Sequence, residues 1–126
     1  MSNLNLTNSE WYVLDCLWEN QPMSVMQLVH ALNLRLNWAK STTITTVNRM
    51  EAKGLLRAEV QGRGKLYWPT VERQEATRQE TRSFLDKVYH GSVGLMMSAM
   101  TDGKTLSKEE IDELYAILRK AEEGRK

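Results

Sequence analysis

The stretch WAKSTTITTVNRMEAKGLLRAEVQGRGKLYWP, residues 38–69, predicts a helix followed by two strands. Helical spacing extends over about residues 39–53, and Gly54 is a natural stop because glycine accepts the left-handed conformation that ends a helix. The residues on either side of the G-R-G segment 62–64 predict two short strands joined by a tight turn. A helix and a β-hairpin therefore follow each other directly.

Two further helices precede this stretch. Thr7 with Glu10, and Ser24 with Gln27, have the spacing of a capping box, in which a hydroxyl side chain and the acidic or amide side chain three residues later close the first turn of a helix. Apolar residues at helical spacing follow each pair, and residues 33–37 are predicted to connect the second helix to the third. Three helices followed by a hairpin is the order of a winged helix-turn-helix.

The fold class predicted for the chain is mainly α with a small β-hairpin. Residues 1–70 form the winged helix-turn-helix domain, and residues 71–126 form a helical element. The polar stretch 72–83 contains good helix formers without Gly or Pro, and Ser107 with Glu110 gives a third capping box. Fewer than about 70 residues rarely provide a core that is stable alone, so we expect this element to pack against a second copy.

The residues expected at this dimer interface are apolar side chains of the helical element that recur at helical spacing. The alternative is that residues 71–126 fold back on the winged domain of the same chain. The predicted dimerisation residues are Phe84, Leu85, Val88, Val93, Met96, Met97, Met100, Ile111, Leu114, Tyr115 and Leu118.

The charged residues are segregated, although the formal net charge of the 126-residue chain is only +1. Residues 1–34 carry three acids and no Lys or Arg, residues 35–70 carry seven bases and two acids, and residues 71–126 are nearly neutral. A basic middle region favours a face that binds a polyanion such as nucleic acid, with an ordinary solvated surface as the alternative.

The third helix has the composition of a helix that reads DNA. Hydroxyl side chains dominate residues 41–46, and Glu51 is the only acid between residues 39 and 53. Short hydroxyl side chains allow a helix to approach base edges closely, whereas threonine is a weak helix former that suits a purely structural helix poorly. Its place after a turn is that of the recognition helix that enters the major groove.

Two faces of this helix can point outward. The apolar residues alone favour an inner face of Ile44, Val47 and Met50, which would expose Thr46. The R-x-x-x-K-G-L-L pattern that ends the helix is typical of winged helices that instead bury Thr43 and Thr46 and turn Ile44 outward. We favour the second face.

The candidate DNA-binding residues follow from this face and from the hairpin. Cations are expected to contact phosphates, and short polar or small apolar side chains are expected to contact base edges. Arg63, at the tip of the hairpin, is suited to a phosphate strand or a narrow minor groove, with a solubilising turn residue as the alternative. The predicted phosphate contacts are Lys40, Arg49, Lys53, Arg63 and Lys65, and the predicted base contacts are Ser41, Thr42, Ile44, Thr45 and Asn48.

The sequence gives little support to an enzyme, a metal protein or a membrane protein. His30 and His90 are far apart, and no catalytic constellation or phosphate-binding glycine loop can be assembled. Cys16, Met96 and Met97 are the only candidates for a soft metal, but their spacing favours core positions, so no metal or cofactor is predicted. With no apolar run of membrane-spanning length and no signal-peptide pattern, the expected location is the cytoplasm.

Four segments together resemble the BlaI/MecI family of penicillinase and methicillin-resistance repressors, which also contains copper-responsive CopY-type repressors. They are LTNSEWYVLDCLW (6–18), WAKSTTITTVNRMEAKGLL (38–56), FLDKVYHG (84–91) and LSKEEIDEL (106–114). They occur in the order found in the family and span nearly the whole chain. The resemblance implies a homodimeric winged-helix repressor of palindromic operators, in which the C-terminal helices form the dimer.

The sequence departs from the family pattern in three places. The paired C-x-C motifs of the copper-responsive members are absent from its last segment, RKAEEGRK. In the β-lactam branch a regulatory protease cleaves an Asn-Phe bond, and the aligned pair in this sequence is Ala99-Met100. Ile44 stands where basic or polar residues are common in the family. A protease partner is therefore implied by the resemblance alone, and the operator sequence is not carried over.

The predicted function is a sequence-specific DNA-binding repressor whose partners are double-stranded DNA and a second copy of the chain. Two alternatives remain open. One is a winged-helix module that binds another protein, and the other is a regulator that responds to a metal or another effector bound at the dimer interface.

Overall fold

The computed structural model describes residues 5–103 and 106–125, so the first four residues of the predicted winged domain lie outside the described part. The chain divides into two compact units, Met1–Glu80 and Thr81–Lys126. The predicted order of three helices and a hairpin is confirmed. The elements are α1 (Asn8–Glu19), α2 (Val25–Leu36), α3 (Lys40–Ala52), β1 (Leu56–Gln61), β2 (Gly64–Pro69), α4 (Arg73–Tyr89), α5 (Val93–Thr101) and α6 (Lys108–Glu123).

The capping boxes start three of these helices where the sequence predicts them. At α1 the backbone N–H of Thr7 donates to Glu10 Oε1 at 2.9 Å, and the backbone N–H of Glu10 donates to Thr7 Oγ1 at 3.1 Å. The same reciprocal pair of bonds begins α2 and α6. Each box satisfies two backbone groups that the first helical turn leaves without an intrahelical partner.

The predicted connection over residues 33–37 is wrong, because α2 continues to Leu36. The added turn is stabilised by Arg35, whose guanidinium lies 2.6 Å from Glu19 Oε1 of α1. Asn37 then ends the helix in the left-handed conformation at φ 58°, which asparagine adopts more readily than most residues. The Asn33 side-chain amide donates to the Trp38 carbonyl at 3.1 Å and fixes the entry to α3.

The hairpin pairs β1 with β2 in antiparallel register from Leu56 opposite Pro69 to Gln61 opposite Gly64. Of the two turn residues, Gly62 has a positive φ of 60° and Arg63 does not, which is the pattern of a type II′ turn. Met23 forms an isolated bridge to Tyr67, with backbone N–O distances of 3.2 and 2.8 Å. The hairpin is therefore tied to the segment between α1 and α2.

The core of the first unit lies between the three N-terminal helices and the hairpin. Cys16 belongs to it, as the sequence predicts for a small apolar side chain. The other buried apolar residues that pack together are Val13, Leu14 and Leu17 of α1, Leu28 and Leu32 of α2, Val47 and Met50 of α3, and Leu55, Leu56 and Tyr67 around the hairpin.

The second unit contains the last part of α4 and the whole of α5 and α6. His90 and Gly91 both have positive φ, at 52° and 83°, and they separate α4 from α5. Of the residues that the structure describes in this unit, none is buried. Its helices consequently leave their apolar stripes in contact with solvent.

None of the helices within residues 5–103 and 106–125 combines the length and the apolar character that crossing a membrane requires.

Two buried threonines of α3 differ in their hydrogen bonding. The hydroxyl of Thr46 donates to the Thr42 carbonyl at 2.8 Å, whereas the hydroxyl of Thr43 has no hydrogen-bond partner among the described residues. We expect Thr43→Val to raise the free energy of unfolding by about 1 kcal/mol, because a methyl group replaces a buried hydroxyl that gains nothing from burial.

Urea denaturation of the purified variants measures this difference. Thr46→Val is the matched control, since it removes a hydroxyl that does have a partner and is expected to gain nothing. A free energy of unfolding of Thr43→Val that is no higher than that of the wild type contradicts the prediction.

Candidate nucleic-acid interface

The structure decides between the two possible faces of α3. Thr43 and Thr46 are buried together with Val47 and Met50, so the second face is confirmed and the one that would expose Thr46 is wrong. The Thr46 hydroxyl is satisfied within the helix, which allows a polar residue to lie on the inner stripe. The outward side chains of α3 are Ser41, Thr42, Thr45, Asn48 and Arg49, all exposed, and Ile44, which is half-buried.

The first turn of α3 is open to an anion. Ala39 occupies the N-cap position without a side-chain hydrogen bond, and the first turn contains no acidic residue. Lys40 and Ser41 open the helix, and both are exposed. The positive end of the helix dipole and unsatisfied backbone N–H groups of that turn therefore favour a phosphate at this position.

The two arginines of the hairpin have different environments. Arg63 is exposed at the tip, between Gly62 and Gly64. Arg57, at the base of β1, lies over the Trp68 ring at 4.4 Å from its centroid, and its guanidinium is 2.6 Å from Glu59 Oε1. Only the tip arginine is thus free to reach a partner in solution.

The five predicted phosphate-contacting cations divide into two groups. Lys53 Nζ lies 2.7 Å from Glu10 Oε2, and Lys65 Nζ lies 3.8 Å from Glu51 Oε2. Among residues 5–103 and 106–125, no carboxylate lies within 4.0 Å of the other three. Those three unpaired cations are Lys40, Arg49 and Arg63.

The Glu10–Lys53 pair joins the start of α1 to the end of α3. The Glu10 side chain is only 1% exposed, and the Lys53 side chain is 42% exposed. Burial by itself raises the pKa of Glu10, but the Lys53 ammonium and the Thr7 backbone N–H outweigh it, so that the pKa lies below its ordinary value. The carboxylate therefore stays ionised in the folded protein at neutral pH.

Sequence reasoning does not find this pair. Glu10 is predicted only as the acidic member of a capping box, and Lys53 only as a phosphate contact. The two residues are 43 positions apart, and no periodicity links the start of the first helix to the end of the third. The signal that could have suggested it is the position of Glu10 directly before the apolar stripe of α1.

A second carboxylate links α3 to the hairpin. Burial raises the pKa of the Tyr67 hydroxyl, and the negative charge of the nearby Glu51 carboxylate raises the pKa further. Glu51 thus lies between a buried hydroxyl and the Lys65 ammonium. The C-terminal turn of α3 is connected through carboxylates to both α1 and β2.

The candidate metal ligands lie in ordinary structural positions. Burial raises the pKa of the Cys16 thiol, which disfavours the thiolate that binds metals. Met96 and Met97 are half-buried in α5. Over the described ranges 5–103 and 106–125, no three His, Cys, Asp or Glu side chains are grouped so that they could hold a metal ion.

A sequence model described as penicillinase repressor matches residues 6–120 of this chain. The chain belongs to the penicillinase repressor family. This family consists of transcriptional repressors and not of enzymes, so the predicted absence of an enzymatic activity follows from membership.

Two curated relatives align with this family member along nearly its whole length. The penicillinase repressor of Bacillus licheniformis is 26% identical over 121 residues, which cover 96% of this chain and 94% of that protein. The methicillin resistance regulatory protein MecI of Staphylococcus aureus strain N315 is 24% identical over 115 residues, covering 91% of this chain and 94% of the relative.

A solved structure shares the fold of the first unit of this family member. It is the solution structure of the monomeric form of Bacillus licheniformis BlaI in complex with the blaP half-operator. The TM-score is 0.52 at 20% sequence identity, and the match covers 59% of this chain and 90% of that chain. The likeness confirms the predicted winged helix-turn-helix.

The lowered pKa of Glu10 makes the stability of this repressor depend on pH through Lys53. Ionised Glu10 contributes stability above its unfolded pKa of about 4.5, and this contribution is lost as the pH falls through the lower folded value. We expect Lys53→Met to lower the free energy of unfolding at pH 7 by about 1–2 kcal/mol, because a buried carboxylate loses its cation while Lys53 itself is partly solvated.

The difference between the two proteins is expected to shrink as the pH falls from the unfolded pKa of Glu10 through its lower folded pKa, because the carboxylate becomes protonated there. Urea denaturation at a series of pH values measures it. Lys40→Met is the control, because it removes an exposed, unpaired lysine from the same helix and is expected to change stability by less than about 0.5 kcal/mol. A Lys53→Met effect that stays constant from pH 7 down to the onset of acid unfolding argues against the pair as its source.

Proposed function

We propose that this protein represses transcription as a cytoplasmic homodimer that binds a palindromic operator. Residues 1–70 bind DNA, and residues 71–126 form the dimer. Each α3 enters the major groove of one half-site, and the hairpin contacts the neighbouring backbone or minor groove. Because the two protomers are related by a two-fold axis, the half-sites lie about one helical turn, or a multiple of it, apart.

The observation that carries this proposal is the outward face of α3. That face presents hydroxyl and amide side chains without an acid, on a helix whose inner stripe is buried against α1 and α2. Short polar side chains match the donors and acceptors of base edges, and a rigid helix presents them at fixed spacing. The match with BlaI, a protein solved with its half-operator, adds support from the fold.

The unpaired cations surround this face. Lys40 opens α3, Arg49 lies on its last turns, and Arg63 is at the hairpin tip. Phosphate contacts of this kind fix the position of a protein on the duplex without reading its sequence. We assign these three to the backbone and the exposed residues between Ser41 and Asn48 to base edges, with Ile44 against a thymine methyl group.

The proposed dimer interface is built from the apolar residues that the second unit leaves exposed. On α6, Ile111, Tyr115 and Leu118 are 40%, 59% and 64% exposed. Apolar side chains at this spacing form one stripe along a helix, and a soluble monomer rarely leaves such a stripe in water.

The other residues predicted for the dimer interface differ in exposure. Leu85, Met96, Met97 and Leu114 are half-buried, and Phe84, Val88, Val93 and Met100 are exposed. Leu95 and Ile117, which the sequence prediction omits, are also exposed, at 57% and 54%.

An electrophoretic mobility shift with the DNA immediately upstream of the protein's own gene tests the proposal. Excess random duplex serves as competitor, and sedimentation equilibrium gives the stoichiometry of the free protein and of the complex. A discrete complex containing two protomers that survives the competitor supports a specific dimeric repressor. If a library of random duplexes yields no selected sequence either, specific DNA binding is refuted.

The unpaired cations are expected to determine the salt dependence of binding. Arg49→Ala and Arg63→Ala should each weaken binding to specific and random duplexes alike, and each should make the slope of log K against log salt shallower by about two for a dimer. Arg57→Ala is the matched control on the same hairpin, because its guanidinium is held by Glu59 and Trp68. Equal slopes for Arg63→Ala and the wild type would remove Arg63 from the interface.

Thr45 is expected to determine sequence preference. Its side chain is exposed in the middle of the outward face, and its loss changes a base contact rather than a phosphate contact. We expect Thr45→Ala to alter the sequences selected from a random duplex pool, with little change in affinity for random duplex. Equal losses for selected and random duplex would assign Thr45 to the backbone instead.

A further inference from the structure

The Glu10 carboxylate is held at both oxygen atoms. Oε1 accepts a hydrogen bond from the Thr7 backbone N–H at 2.9 Å, and Oε2 accepts one from the Lys53 ammonium at 2.7 Å. With 1% of its side chain exposed, Glu10 cannot itself touch a bound duplex. If the Lys53 ammonium moved to a phosphate, it would leave a buried carboxylate without a cation, and such a group is costly.

Arg49 and Lys53 show how differently two cations on neighbouring turns of α3 are used. A spacing of four residues places them on the same side of an ideal helix. Arg49 is nevertheless exposed without a carboxylate partner in the described part of the chain, whereas Lys53, at the C-cap, turns to α1. The Asn33 side chain fixes the other end of α3 through the Trp38 carbonyl. The recognition helix is thus held by a polar contact at each end.

We propose that Glu10 and Lys53 are a positioning pair that sets the orientation of α3 for the major groove, and that Lys53 does not contact DNA phosphate. The proposal rests on the DNA-binding function proposed above. It makes Glu10, a residue of α1 that is remote from the bases, a determinant of operator affinity.

Glu10→Gln and Lys53→Met test the pair from its two sides. Gln at position 10 keeps the capping box, since its amide oxygen can accept the Thr7 N–H, but its NH₂ group then faces the Lys53 ammonium. Arg49→Met is the matched control for removal of a cation from α3. Binding is measured by fluorescence anisotropy between about 50 and 200 mM salt, with a duplex selected by the wild type from a random pool and with a shuffled duplex.

We expect Glu10→Gln and Lys53→Met each to weaken binding to the selected duplex about tenfold, the effect of losing about one base contact. Affinity for the shuffled duplex and the salt slope should stay at their wild-type values, and Lys53→Arg should restore binding. Arg49→Met should instead weaken both duplexes and make the slope shallower by about two. Should Lys53→Met fail to fold, Glu10→Gln alone gives the answer.

The opposite pattern of affinities contradicts the proposal that Glu10 and Lys53 position α3. If Lys53 contacts phosphate, Lys53→Met behaves like Arg49→Met, and Glu10→Gln binds as tightly as the wild type or more tightly because it releases a cation. Failure of the wild type itself to prefer the selected duplex is a different result, which refutes the proposed function and the positioning role with it.

Discussion

The burial of one stripe of α3 against α1 and α2 is the constraint on which the rest of the structure depends. Thr43, Thr46, Val47 and Met50 can all face inward only if the helix is rotated so that its hydroxyl-rich side faces solvent. The same rotation brings the end of α3 to the start of α1, where Glu10 meets Lys53. The same packing that forms the core therefore also exposes the outward face of α3, which is proposed to contact base edges.

The local structure could largely be predicted from the sequence. Capping boxes depend on two side chains three residues apart, so Thr7 and Glu10 identify the start of α1 without any knowledge of the fold. The glycines that flank Arg63 likewise identify the hairpin turn. The exception is the end of α2, where Arg35 pairs with Glu19 of another element and Asn37 takes the left-handed conformation that ends the helix.

The face of α3 and the pairing of its cations could be predicted only in part. An apolar pattern treats threonine as an outer residue, yet Thr46 becomes an inner one because its hydroxyl bonds to the Thr42 carbonyl. Whether a lysine is free depends on which carboxylate the fold brings to it, and nothing near Lys53 in the sequence indicates Glu10. What covers the apolar stripe of α6 is harder still to predict from the sequence, because the proposed partner is another chain.

The bridge between Met23 and Tyr67 separates the hairpin into a fixed base and an independent tip. Tyr67 is tied to the core, while the turn at Gly62 and Arg63 is three pairs further out in the ladder. Because strand side chains alternate with a period of two, adding or removing residues in matched pairs at the tip preserves the register below it. The length of this wing, and with it the reach proposed for Arg63, can therefore change without altering the base of the wing or the packing of α3.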